Sequence, residues 1–305
     1  MVPEFLGEEH LARLSARHEV TYDPDLYSDR PRLLAAMGDA RAVLIRNRTQ
    51  IDREFIAAAS KLFIVGRLGV GLDNIDMDAC AAAGIQVRPA VGANAVSVAE
   101  YVMGATLTLL RPVFGMTGSM VAGQWPRQGH AFGREALGKT MGLLGFGAIA
   151  RHVARRAAAF EMTVIAHDPF LPDDDPAWRD ARSVTFDDLL GRADVLSIHT
   201  PLTNQTRHVI GAEALRLMKP TAVLINTSRG GTVDEEALVG ALRNGVISGA
   251  ALDVFASEPL RPEPASRFAG LENLLLTPHL AGNTRESVDR VAAVTVSSVL
   301  EALSI

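Results

Sequence analysis

Cysteine is almost absent from this chain: Cys80 is the single one among 305 residues. One thiol forms no intramolecular disulfide and no cysteine-based zinc cluster, so disulfide-stapled and zinc-finger classes are excluded. No metal site is expected. Also missing is any apolar run of the roughly 18 residues that suggests a membrane span. The opening "MVPEFLGEEH" is acidic and lacks the apolar core of a signal peptide, so a cytoplasmic location is expected. A strong excess of charge of either sign is missing as well. A formal net charge of −5 gives no global attraction to nucleic acid or to anionic membranes, so any anion site must come from local arginines. There is no fixed-period repeat and no low-complexity linker, and a hydrophobic content of 48% excludes disorder.

What remains is a regular alternation. "AVLIRN", "KLFIVGR" and "GIQVRP" read as strands between alanine-rich helical segments. From Thr140 onward "TMGLLG", "TVIAHD", "VLSIHT", "AVLIN", "AALDVF" and "NLLLTP" are apolar and bounded by Gly, Pro or Asp. Near-continuous apolar strands of this kind fit a parallel sheet covered on both faces. In "DEEALVGALRNG", Asp234 is a candidate N-cap, acids occupy the first turn and Gly245 ends the helix. Repeated βα units predict a doubly wound α/β fold. Two long helical stretches, 97–121 with Pro112 as a kink and 284–303, read as crossings between two domains. The expected division is 1–97 with 284–305 for an outer domain and 98–283 for an inner one. "LPDDDPAWRD" reads as a solvated acidic loop.

"GLLGFGAIARHVARR" carries Gly145 and Gly147 in a G-x-G spacing, with Ala150 where a third glycine is usual. Alone this is weak. It follows an apolar strand and opens a helix, as dinucleotide binding requires: a tight turn, close backbone approach to a pyrophosphate, then close helix packing. Only the last role falls to Ala150. Asp168 ends the next strand about 20 residues on, where an acid grips the ribose hydroxyls and disfavours a 2′-phosphate. The expected cofactor is therefore NAD rather than NADP. A second glycine turn, "VGRLGVGLDN", has the wrong spacing for that fingerprint, though its amides could hold a carboxylate.

"LLGFGAIARHVA", "HTPLTNQTRHVIG", "LINTSRGGTVDEEALVGALRNGVISGAALDVFASEP" and "LLLTPHLAGNTRES" together resemble the D-2-hydroxyacid dehydrogenase family, as do "VGRLGVGLDNIDMDAC" and "GANAVSVAEYVMG". The resemblance implies a Rossmann cofactor domain inserted in a flavodoxin-like substrate domain, with a cleft that closes over both ligands. It implies that Arg229 binds the substrate carboxylate and carbonyl, and that His279, paired with Glu258, exchanges the proton. Asp253 is implied near the nicotinamide carboxamide. Val70 and Gly71 are implied as amides for the substrate carboxylate, with Asn94 facing the cleft. The cofactor set it implies is Gly145, Phe146, Gly147, Ala148, Ile149, Asp168, Thr200, Pro201, Thr206, Thr227, Ser228, Arg229, Asp253, His279 and Gly282. The chemistry agrees: hydride transfer to a 2-oxo acid leaves charge on oxygen, calling for a proton donor and a cationic clamp. His199 and His208 read as structural, and Cys80 as core.

The substrate clue is "LIRNRTQID". Arg46, Asn47 and Arg48 follow a strand, and phosphoglycerate dehydrogenases of this family meet the substrate's anionic tail with a similar stretch. A second anionic group is therefore expected. The opening, "RNRTQID" and "AGQWPR" look closest to the sulfolactate dehydrogenase branch, giving 3-sulfolactate/3-sulfopyruvate, with 3-phosphoglycerate or hydroxypyruvate/glyoxylate as alternatives. A different class, the NAD-sensing corepressors, resembles the family too. In the family the 122–139 segment helps form a dimer, so a homodimer is expected. The chain stops after the returning helix, so serine control through added domains is not expected.

Overall fold

The structure is a computed structural model, and it describes residues 1–127 and 133–304. The chain divides into two compact units, Met1–Asn94 with Asn283–Ile305, and Ala95–Gly282. The first division falls at the start of the Ala95–Leu110 helix rather than inside it. Part of the 122–139 segment, 128–132, and the terminal Ile305 lie outside the described residues.

In the first unit β1 (Ala42–Ile45), β2 (Ile64–Arg67) and β3 (Gln86–Pro89) form a parallel sheet in the order β1-β2-β3. The N-terminus extends it: the Leu44 N–H donates to the Met1 carbonyl, and Val2 bridges Tyr22 in parallel. Side chains alternate across the pleat. Leu44 and Ile64 join a core with Val291, Val296 and Val299 of the Arg285–Leu303 helix. Val43, Ile45 and Val65 face a second core holding Phe55 and Cys80. Thr284 caps that last helix by accepting the Ser287 N–H at 3.1 Å.

The second unit holds β4 (Thr140–Leu144), β5 (Thr163–His167), β6 (Arg182–Ser183), β7 (Val195–Ile198), β8 (Val223–Asn226), β9 (Gly249–Leu252) and β10 (Leu274–Leu276). The parallel order is β10-β9-β8-β7-β4-β5-β6. Period-2 alternation splits each pair: Leu143, Val195 and Val223 pack on one face, while Leu144, Leu196 and Leu224 pack on the other. The order reverses between β4 and β7, and a crevice at the carboxyl ends of such neighbours is where doubly wound sheets bind ligands.

Two expectations needed correction, and one strand was not foreseen. Pro112 ends the helix at Leu110, and the chain continues as a 3₁₀ turn, Pro112–Met116, then a short Thr117–Val121 helix. β6 carried no apolar signal because both its residues are exposed at the sheet edge. The 171–180 segment is not simply solvated: Trp178 stacks on Phe146 with ring centroids 5.2 Å apart, and its indole N–H donates to the Pro172 carbonyl. No helix among the described residues is long and apolar enough to cross a membrane.

Candidate active site

After β4 the backbone turns at Gly145 with φ +86°, which glycine adopts freely, and a Cβ there would stand 3.0 Å from the His199 carbonyl oxygen. Gly147 caps the Ala148–Ala159 helix without a side chain, and the space where its Cβ would project is open. The first-turn amides of Ala148 and Ile149 therefore carry no side-chain cap, at the positive end of a helix dipole suited to a pyrophosphate. Ala150 is wholly buried in the core beneath this turn. One Asp168 oxygen accepts the Phe146 N–H at 2.8 Å, and the other accepts the Phe170 N–H at 3.0 Å. The carboxylate thus sits at the rim of the glycine turn.

At the ends of β7 and β8, His199 Nε2, Thr200 Oγ1 and Thr227 Oγ1 are buried without a hydrogen-bond partner among the described residues. Buried polar atoms seldom stay unsatisfied, so this edge fits a polar ligand. Burial pushes the His199 imidazole down to about 3, so it is neutral. The Thr206 hydroxyl donates to the Pro201 carbonyl at 2.6 Å, shaping the loop after β7. The Ser228 N–H and hydroxyl both donate to Asn226 Oδ1, at 3.0 and 2.9 Å. Together with half-buried Gly282, these residues fit the dinucleotide the sequence predicts.

Two titratable groups meet at the same sheet edge. His279 Nδ1 lies 2.6 Å from Glu258 Oε2, and the other carboxylate oxygen of Glu258 accepts the Phe255 N–H at 3.0 Å. The hydrogen bond to Glu258 raises the His279 pKa above its ordinary value, against the opposing effects of burial and the Arg229 charge. Burial pushes the Glu258 carboxyl up, but the His279 hydrogen bond, the Phe255 N–H and Arg229 together bring it below the usual range. With Nδ1 donating to Glu258, Nε2 is the ring nitrogen that remains for a further hydrogen bond. Arg229 Nη1 donates to the Ser228 carbonyl at 2.7 Å, and its own carbonyl accepts from Asn226 and Thr232. Gly230 explains how these segments come together: a Cβ there would lie 1.8 Å from the Phe255 carbonyl carbon.

Asp253, 1% exposed, organises the histidine turn. Its carboxylate accepts the Leu280 and Ala281 N–H groups, each at 2.8 Å, and the Thr277 hydroxyl at 2.5 Å. Its carbonyl accepts the His279 N–H at 2.8 Å. These bonds hold His279 at φ +56°, a left-handed conformation uncommon outside glycine. Tyr101 extends the network through a 2.7 Å hydrogen bond to Thr277.

In the first unit, the turn after β2 is braced by Arg67, whose Nε and Nη1 donate to the Gly71 and Leu68 carbonyls, both at 2.8 Å. The Gly69 carbonyl is taken by the Ala90 N–H. With these carbonyls occupied, the Val70 and Gly71 amides have no acceptor among the described residues. Asn94 Oδ1 is likewise buried and unpartnered. In the turn after β1, Asn47 is exposed and half-buried Arg46 makes no side-chain bond among the described residues. Arg48 instead lies over the Tyr27 ring, 4.9 Å from its centroid, and donates to the Tyr27 hydroxyl. Glu4, Tyr27, Asn74, Tyr101 and Thr277 were not anticipated. Their partners lie 21 or more positions away in sequence, so no local motif marks them, although Thr277 is two residues from His279. Arg134 donates to the Thr221 carbonyl and to Ser248 in its own unit.

A family profile described as "D-isomer specific 2-hydroxyacid dehydrogenase, NAD binding domain" matches residues 103–281. The chain is 49% identical to the (S)-sulfolactate dehydrogenase of Chromohalobacter salexigens, covering 100% of this chain and 98% of that one. It is 40% identical to the D-3-phosphoglycerate dehydrogenase of Mycobacterium leprae across its full length, but spans 56% of that protein. Among solved structures, the D-lactate dehydrogenase of Aquifex aeolicus complexed with NAD and lactic acid superposes with a TM-score of 0.83 at 27% identity, covering 97% of this chain and 92% of that one. With a parallel sheet, an uncapped glycine turn and a carboxylate-paired histidine at one edge, the chain belongs to the D-isomer specific 2-hydroxyacid dehydrogenase family.

Proposed function

We propose that this chain interconverts a 2-hydroxy acid and its 2-oxo acid, using NAD, and that the substrate carries a second anionic group: 3-sulfolactate and 3-sulfopyruvate. The observation that carries the chemistry is the 2.6 Å contact between His279 and Glu258 beside the charge of Arg229. The glycine turn at Gly145 and Gly147 would hold NADH, which would supply the hydride for the 2-carbon of the oxo acid. His279, protonated and backed by Glu258, gives the Nε2 proton to the developing alkoxide. Arg229 neutralises charge on the carbonyl oxygen and the carboxylate. In the oxidative direction neutral His279 accepts the hydroxyl proton, and the imidazolium that forms is stabilised by Glu258. The amides of Val70 and Gly71 take the substrate carboxylate, and Asn94 adds a polar contact.

For the tail, the support is the half-buried Arg46 guanidinium. Burial lowers its pKa and Glu4 opposes that effect. A cation in such a setting gains from an anionic ligand. The full-length similarity to the Chromohalobacter protein favours sulfonate over phosphate. Phosphoglycerate is the second reading, since a phosphate meets the same arginines. For the coenzyme, Asp168 at the glycine turn repels a 2′-phosphate. Arg182 and Arg192 line the same cavity of about 490 Å³ beside Asp168 and carry the opposite charge. We assign NAD because Asp168 is the group bonded to the turn itself. Exposed Phe114, Val121 and Trp125 support a homodimer through the 112–127 region, which sedimentation equilibrium tests.

The decisive experiment is a kcat/KM screen of 3-sulfopyruvate, phosphohydroxypyruvate, hydroxypyruvate, glyoxylate and pyruvate, each with NADH and NADPH. Highest efficiency with 3-sulfopyruvate and NADH is expected. A preference for phosphohydroxypyruvate would install the second reading. NADH binding without turnover of any 2-oxo acid would instead indicate a sensor.

A further inference from the structure

The turn that carries Arg46 and Arg48 is held from behind by a residue at the far end of the unit's sequence. Glu4 is 3% exposed, and its carboxylate accepts three backbone N–H groups from this turn: Arg46 at 2.9 Å, Arg48 at 3.3 Å and Thr49 at 3.0 Å. Asn74 secures the same turn through its carbonyls, donating to Arg46 at 3.1 Å and Thr49 at 2.6 Å. Glu4 is itself pinned, since Val2 pairs with Tyr22 and both Val2 and Leu6 are buried.

We infer that Glu4 is a positioning residue for substrate selection: its carboxylate shapes the 46–49 turn so that Arg46 and Arg48 meet the substrate's anionic tail. The inference rests on the tail-binding reading given above. The amides of Arg46, Arg48 and Thr49 are already engaged, so they do not bind the anion. Recognition falls to the side chains, whose direction follows from the backbone that Glu4 fixes. Hydrogen bonds to a buried carboxylate are strong and costly to lose. A neutral amide in its place would present an N–H₂ donor to a cluster of donors. The turn would loosen, and the Arg46 and Arg48 side chains would lose the direction that the backbone gives them.

The test compares Glu4→Gln with the parent enzyme on 3-sulfopyruvate and on pyruvate, which has no charged tail. We expect the ratio of the two kcat/KM values to fall about tenfold, with the loss in KM for 3-sulfopyruvate, as the loss of one or two charge-assisted bonds implies. Amide hydrogen exchange at residues 46, 48 and 49 should accelerate in the same variant. Asn74→Ala, which frees the carbonyl side of the turn, should lower the same ratio and provides the measurement if Glu4→Gln does not fold. An unchanged ratio in a folded Glu4→Gln protein overturns the inference. Arg46→Ala separates the two levels. If it leaves the ratio intact, the tail-binding reading falls and this inference with it. If Arg46→Ala lowers the ratio and Glu4→Gln does not, only the role of Glu4 falls.

Discussion

The two units solve different problems with the same materials. At the edge of the second unit the polar side chains face each other: His279 is bonded to Glu258, Asp253 to Thr277, and Thr277 to Tyr101. In the first unit the buried charges serve the backbone, with Arg67 on carbonyls after β2 and Glu4 on amides after β1. The sign of the supporting group decides what each turn can offer. Carbonyls drawn to Arg67 leave N–H groups open to an acceptor, whereas amides drawn to Glu4 leave that turn with only its side chains to offer. Changes in the second unit should therefore act on turnover of every 2-oxo acid. Changes in the first should act on KM, for every 2-oxo acid at the turn after β2 and selectively at the turn after β1.

The largest effect is expected from His279→Ala. It should lower kcat by about 10²–10⁴-fold with 3-sulfopyruvate and pyruvate alike, while titration shows NADH affinity nearly intact. A loss confined to one acid would break the division of labour. Next comes Glu258→Gln, read as a pH profile. Its hydrogen bond raises the His279 pKa, so in the parent the decline of reduction with rising pH should be displaced upward from where an ordinary histidine would place it. Without that anion the decline should move to lower pH, and the rise of oxidation, which needs neutral His279, should move the same way. A stationary profile would dissolve the pair.

The effects on KM are smaller. Arg67→Met should raise KM for all 2-oxo acids by about tenfold, because every one carries the carboxylate that the Val70 and Gly71 amides would hold. Arg46→Ala should raise KM by a similar factor, about tenfold, but only for acids with an anionic tail. Identical substrate patterns for these two variants would erase the contrast between the turns. The smallest change belongs to Tyr101→Phe, which removes one hydrogen bond from the support of the histidine turn. It should reduce kcat by less than about tenfold with KM little altered.

Much of this architecture was legible in the residues, for identifiable reasons. Strands buried on both faces leave unbroken apolar runs such as Gly249–Leu252, and caps such as Asp234 sit at fixed offsets from the amides they accept. β6 was not legible because an exposed edge strand imposes no apolar requirement on Arg182 or Ser183. The site divided along similar lines. Gly145, Asp168 and the segments around Arg229, Glu258 and His279 carry their signal in local spacing or extended motifs. Glu4, Asn74 and Tyr27 act only through folding, which brings distant segments together. Nor does the sequence around His279 announce its left-handed backbone, because four hydrogen bonds to Asp253 and its neighbours impose it from outside.

Gly230 gives the catalytic edge a mechanical property. Because the Phe255 backbone occupies the space of its missing side chain, the turn bearing Arg229 and the loop bearing Glu258 are interlocked like two links of a clasp. Neither can be shifted or remodelled alone. A graft of this chemistry onto another scaffold would have to carry both links as one piece, and enlarging residue 230 would disarm the enzyme with every reacting side chain still present.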